Sequence, residues 1–289
     1  MKLVGRSAII TGGSQGLGRA IAKHFLQEGA SVLLVARGAV PLQQAEKELA
    51  RLAGPGQQVL TFRGDVGEPA CCAATVALAV ERLPSLCVLV NNAGIQGPIG
   101  RFEEVDWEDW AETVRVNLLG PALMCRALLP HLRQKKYGKI INLSGGGATG
   151  PRPRFSAYAA AKAAVVRLTE TLACELIDAP IDVNAVAPGA LNTRLLDEVL
   201  AAGPDRVSAE DYQRALAQRD GGGASLEQAA ALVAFLASAE SDGISGRLFS
   251  AVWDDWSQLP RRREQLAKSD LYTLRRITPE DRGMQWNCA

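Results

Sequence analysis

Short runs of β-branched and aliphatic residues alternate along this chain with longer stretches whose apolar positions recur every three to four residues. Residues 7–11 (SAIIT) predict a strand, and residues 16–29 a helix with Leu17, Ile21 and Phe25 on one face. Further strands are predicted at 31–36 (SVLLVA), 58–62, 86–90 (LCVLV), 139–143 (KIINL), 181–186 and 247–252. Helices are predicted between them at 41–53, 69–83, 107–134, 156–177 and 228–237, the third broken or bent near Pro121. Runs such as LLVA and IINL show no polar alternation, which is the pattern of strands covered on both faces in a parallel sheet between two helix layers. The expected fold class is therefore α/β, a doubly wound parallel sheet of about seven strands, in one domain over residues 1–252.

Two segments stand outside this alternation. Residues 190–223 carry Leu191, Leu195 and Val199 at helical spacing and end in Gly221-Gly222-Gly223. They follow the sixth strand, and ligands in open α/β sheets sit beyond the carboxyl ends of strands, so the segment is placed to cover a site. An irregular surface loop is the alternative. Residues 253–289 extend past the last strand with Trp253, Trp256, Tyr272 and Trp286, an aromatic density that predicts packing on the domain or on a partner subunit.

Composition narrows the function classes. Net charge is +1, from 32 basic and 31 acidic residues, without the basic excess of an electrostatic nucleic-acid binder. The triplet Arg261-Arg262-Arg263 reads as a solvated face. The cysteines (Cys71, Cys72, Cys87, Cys125, Cys174 and Cys288) have no zinc-site spacing, and His24 and His131 lack partners at ligand spacing, so no metal is expected. The start of the chain has no long apolar core, and the most apolar stretches, 71–80 and 229–239, fall short of the roughly 20 residues that span a bilayer. A cytoplasmic location, with no membrane or nucleic-acid partner, is the expectation.

Candidate chemistry begins at Thr11-Gly12-Gly13-Ser14-Gln15-Gly16-Leu17-Gly18, between the first strand and the first helix. Glycines there let backbone N–H groups approach a diphosphate, and the helix N-terminus adds partial positive charge. The second strand ends Val35-Ala36-Arg37. No acid stands where a ribose 2′-hydroxyl would be bound, and Arg37 suits a 2′-phosphate, so NADP(H) is favoured over NAD(H).

With these residues the sequence resembles the short-chain dehydrogenase/reductase family, in its compact single-domain branch. TGGSQGLG matches the family's TGxxxGxG turn, Asn91-Asn92-Ala93-Gly94 its NNAG motif, and Tyr158 and Lys162 its YxxxK. Asn117 in VNLLGP resembles the family's mid-helix asparagine, which holds a water in a proton relay. Asp65-Val66 resembles the pair that contacts adenine, and Pro188-Gly189 with Thr193 the segment that touches the nicotinamide carboxamide. The resemblance covers about residues 3–252. It implies a Rossmann-type fold, a nicotinamide dinucleotide, a small carbonyl or alcohol substrate and a homodimer or homotetramer. Cofactor contacts then fall on Gly12, Ser14, Gln15, Gly16, Leu17, Gly18, Arg37, Asp65, Val66, Asn92, Ala93, Gly94, Tyr158, Lys162, Pro188, Gly189 and Thr193.

YxxxK also has a meaning of its own. Residues four apart share a helix face. A lysine ammonium there favours the phenolate and lowers a tyrosine pKa that is ordinarily about 10, which lets Tyr158 exchange a proton with a substrate oxygen. The family's carbonyl-orienting serine lies 13 residues before the tyrosine, a count that falls on Gly145, with Ser144 one place earlier. The role is assigned here to Ser144: either the loop through Pro151-Arg152-Pro153-Arg154 holds one extra residue or the hydroxyl is displaced, and Gly145-Gly146-Gly147 allow local slippage. The function expected is ketone reduction by NADPH or its reverse. A cofactor-binding sensor or scaffold with weak catalysis is the alternative.

Overall fold

The computed structural model describes residues 1–284, in which seven strands form one all-parallel sheet in the order β3-β2-β1-β4-β5-β6-β7. The strands are β1 (Ser7–Thr11), β2 (Ser31–Ala36), β3 (Val59–Arg63), β4 (Leu86–Asn91), β5 (Gly138–Leu143), β6 (Ile181–Ala187) and β7 (Leu248–Ser250). The helices are α1 (Gly16–Gln27), α2 (Ala39–Ala50), α3 (Pro69–Arg82), α4 (Trp107–Val114), α5 (Gly120–Lys135), α6 (Ser156–Glu175), α7 (Arg194–Val207), α8 (Ala209–Asp220), α9 (Leu226–Ala237) and α10 (Arg263–Ala267). This is the single-domain Rossmann-type fold expected. The unalternated strands have side chains buried on both faces: Ile10, Val32 and Leu34 pack with α1, α2 and α9, while Ile9, Leu33 and Val35 pack with α3 and α5.

The sheet reverses its winding between β1 and β4, which are neighbours although three strands apart in number. Chain connections leave in opposite directions there, opening a crevice at the strands' carboxyl ends. The bend expected near Pro121 lies just before it. A π turn, Arg115–Leu119, joins α4 to α5 within one continuous run of helical backbone, and Pro121, the second residue of α5, follows directly on it.

Residues 190–223 form two helices, α7 and α8, with a break at Gly203 (φ +78°), rather than a loop. Leu196, Val199, Val207 and Ala215 from this pair pack with Ile99, Phe155 and Tyr158. The last strand is shorter than expected, and the chain beyond it lies along it: Leu248 N–H donates to the Tyr272 carbonyl at 2.8 Å. Leu259 and Leu266 are buried in the main core, Trp256 meets Phe235 and Tyr272 meets Phe249. Trp253 is solvent-exposed, and Trp286 and Cys288 lie outside the described residues. Among the described residues no helix is long and apolar enough to cross a membrane.

Candidate active site

A cleft of about 1760 Å³ opens above the β1/β4 crevice. Its lower wall is the glycine turn. At Gly12 (φ +65°) a Cβ would lie 2.9 Å from Ala93 Cα, and one at Gly18 would collide with the Gly12 carbonyl, so both positions need the absence of a side chain. Thr11 Oγ1 accepts the N–H groups of Asn92 and Ala93 (both 3.0 Å), and Asn92 Nδ2 donates to the carbonyls of Thr11 (2.9 Å) and Gly12 (3.2 Å). NNAG therefore braces the turn. Thr11, the first residue of the TGxxxGxG match, is a member of this clamp though it is absent from the expected cofactor contacts. Helix α1 begins with no side-chain cap and no acid in its first turn, leaving its N-terminal N–H groups free for an anion. This open cradle fits the diphosphate of a dinucleotide. Ser14, Gln15, Gly16 and Leu17 line it, and Thr193 closes over Gly16 from the opposite side.

At one end of the cleft lie Arg37, Asp65 and Val66. The Arg37 guanidinium is half-exposed and only loosely paired, 3.9 Å from Asp65 and 3.8 Å from Glu112. Burial works to raise the Asp65 carboxyl, but the Gly67 N–H and the Arg115 guanidinium outweigh it and hold the group below its ordinary value.

At the other end Tyr158 and Lys162 project from one face of α6, both buried. Lys162 Nζ lies 5.7 Å from the Tyr158 ring centre and donates to the Leu143 carbonyl at 2.8 Å. Burial pushes the Lys162 ammonium down to about 8. Burial also raises the Tyr158 phenol, and the Arg152 guanidinium opposes that rise. Gly94, Pro188 and Gly189 complete the wall.

Asn117 sits in the π turn with its side chain fully buried. Its Oδ1 accepts the Ile95 N–H (2.9 Å) and its Nδ2 donates to the Ile95 carbonyl (2.8 Å). The amide thus holds the backbone segment that follows NNAG.

The serine expectation meets a different geometry. Gly145, not Ser144, faces the tyrosine: a Cβ on Gly145 would lie 2.5 Å from the Tyr158 hydroxyl. Ser144 Oγ lines the same cleft, buried and without a hydrogen-bond partner among the described residues. Ser144 N–H is tied to the Val186 carbonyl at 2.8 Å, continuing the β5–β6 ladder into the start of the loop. Gln96, also buried in the cleft wall with an unpartnered Nε2, was not singled out from the sequence. Its only signal there is its place two residues after NNAG.

A family model described as short chain dehydrogenase matches residues 6–202. The chain belongs to the short-chain dehydrogenase/reductase family. Oxidoreductase UcpA of Salmonella typhimurium is 34% identical over 261 residues, 90% of this chain and 97% of its own. A solved levodione reductase superposes with a TM-score of 0.77 at 30% identity, covering 86% of this chain and 96% of that one. An NAD+-bound xylitol dehydrogenase gives 0.78 at 25% identity, with 86% and 98% covered. This short-chain dehydrogenase is therefore an oxidoreductase of a family that acts on alcohol and carbonyl groups.

Proposed function

We propose that this short-chain dehydrogenase interconverts a small ketone and its alcohol with NADP(H), in the direction of ketone reduction. The observation that carries the reading is the buried Tyr158–Lys162 pair on one helix face, in the same cleft as an uncapped, glycine-lined helix start. A bound nicotinamide supplies or accepts the hydride. The protein supplies the proton: Tyr158 donates it to the carbonyl oxygen, and Lys162 stabilises the phenolate left behind. Asn117 keeps the Ile95 backbone in place beside them. At Gly145 the protein offers no hydroxyl to the substrate oxygen. That last feature favours the second reading, a dinucleotide-binding protein with weak turnover. A homodimer or homotetramer in the cytoplasm belongs to the same proposal.

The preference for NADP(H) rests on Ala36 and Arg37. An acid at position 36 would repel a 2′-phosphate, and Arg37 is loosely enough held to turn to one. Hydrogen bonds to charged groups contribute roughly 1.5–3 kcal/mol, so NADPH is expected to bind about tenfold or more tighter than NADH. Replacing Ala36→Asp together with Arg37→Ile is expected to reverse that order. Dissociation constants for both cofactors at one salt concentration, followed by a ketone panel monitored by NADPH oxidation, are the test. Equal affinities reject the cofactor assignment, and no turnover on any ketone supports the weak-catalysis reading.

A further inference from the structure

We propose that the cleft holds a subsite for an anionic group of the substrate, a carboxylate or a phosphate, built from Arg152 and the glycine loop 145–147. It rests on the functional reading above and gives that site a substrate class.

Six arginines line the cleft: Arg19, Arg37, Arg152, Arg194, Arg214 and Arg219. Five of them have a carboxylate within salt-bridge distance, namely Glu48 for Arg19, Asp65 and Glu112 for Arg37, Glu198 for Arg194, Glu210 and Asp211 for Arg214, and Asp220 for Arg219. Arg152 has no such partner among the described residues, and its guanidinium makes no hydrogen bond there. Asp211, the acid whose field reaches it, is engaged by Ser208 and Arg214 instead. Arg154, two residues on, is used structurally: it donates to the carbonyls of Asp205 (2.9 Å) and Arg206 (3.3 Å) and so ties its loop to α7.

The Arg152 guanidinium is also held in place. It lies 3.7 Å from the centre of the buried Phe155 ring and 5.8 Å from that of Tyr158. A partly desolvated cation without a counter-charge is costly, and an incoming anion removes that cost. Alongside it run three residues with no side chains. A Cβ on Gly146 would be 3.8 Å from Arg152 Nη1, so the guanidinium passes directly over the loop. None of the Gly145, Gly146 and Gly147 N–H groups donates to a described protein atom, whereas Ala148 N–H returns to the Gly145 carbonyl. The buried, unpartnered Ser144 Oγ lies at the start of the same loop. A fixed guanidinium fork beside free N–H and O–H donors matches the oxygens of a carboxylate or phosphate. Its place next to Tyr158 sets the anion within a few bonds of the reacting carbon, as in an oxo or hydroxy acid or a phosphorylated ketone.

The test is calorimetric titration of the dinucleotide-loaded enzyme with malonate, inorganic phosphate and neutral malonamide at constant ionic strength. Loading keeps the probes off the diphosphate cradle. Wild type is expected to bind at least one anion and to ignore malonamide. The tighter of the two assigns carboxylate or phosphate. Arg152→Gln should weaken that binding about tenfold or more, and Arg152→Lys less, because it keeps the charge without the fork. Unchanged dinucleotide affinity shows that the Gln variant is folded. If it is not, Arg152→Lys decides. Wild type that binds neither anion, or an Arg152 variant that binds as well as wild type, overturns the proposal. Tyr158→Phe should retain anion binding, so a failure of the catalytic reading is separate from a failure of the subsite.

Discussion

Tyr158→Phe is expected to lower turnover by about 10²–10⁴-fold, the range over which a positioned acid or base contributes to rate. The substitution removes one oxygen and keeps the ring that packs with Leu196, Val199 and Phe155, so the fold and the dinucleotide cradle should be untouched. Dinucleotide affinity is the control: it should match wild type while single-turnover hydride transfer collapses. Turnover at the wild-type rate would remove Tyr158 from the chemistry. The companion change, Lys162→Met, takes away the ammonium that stabilises the phenolate. An ammonium 5.7 Å from the Tyr158 ring favours the phenolate, so its loss should move the alkaline-going limb of the pH–rate profile to higher pH. Wild-type Lys162 carries its charge below about 8, so the separation between the two profiles should be clearest below that pH and shrink above it. A Met variant with an unshifted profile would show that the lysine does not tune the tyrosine.

The largest stability effect is expected far from the site, at the opposite end of the sheet. Lys139 sits in the second position of β5 and is 1% exposed. Its Nζ is 2.6 Å from Asp182, its register partner on β6, 2.7 Å from Asp242 and 3.2 Å from Ser241 Oγ. Tyr137 donates to Asp242 at 2.8 Å and accepts from Arg6 at 2.6 Å, extending the network to the start of β1. Burial raises the Asp182 carboxyl despite Lys139. Lys139→Met leaves that carboxylate without its cation, and removing one partner of a buried pair costs about 3–5 kcal/mol. For a domain of this size the loss should lower Tm by roughly 10 °C. The double variant Lys139→Met with Asp182→Leu should recover most of it, because no uncompensated charge then remains between the strands. Thermal unfolding of the single and double variants checks both, and a single variant that melts with wild type would mean that the network adds nothing.

The same lysine shows where sequence reading stops. In KIINL it reads as a polar flank to a strand, which it is, yet its partners lie 43 and more than 100 residues away and nothing local marks them. Arg152 and Arg154 illustrate the limit more sharply. Both belong to one PRPR stretch, but the backbone of Arg154 turns to φ +70° and its side chain is absorbed by α7, while Arg152 lies over Phe155 in the cleft. The choice between Ser144 and Gly145 was likewise a matter of position relative to Tyr158. Counting thirteen residues back falls on Gly145, and an extra residue in the loop through Pro151-Arg152-Pro153-Arg154 or a displaced hydroxyl gives the place to Ser144. The fold brings Gly145 against the Tyr158 hydroxyl and leaves Ser144 Oγ lining the same cleft.

By itself, the sequence determined the features that short-range physics encodes. Unalternated strands such as SVLLVA call for cover on both faces, the glycines of Thr11–Gly18 between a strand and a helix allow a close backbone approach, and YxxxK places two side chains on one helix face. Each is complete within a few consecutive residues. Only the tertiary structure decided that residues 190–223 form a helical pair over Tyr158, that the chain past Trp253 lies along β7, that the Asn117 amide holds Ile95, and which cleft arginine has no acidic partner among the described residues. Those outcomes depend on which distant groups meet after the sheet has formed, and burial, charge pairing and hydrogen bonding between segments far apart in the chain leave no periodic trace in it.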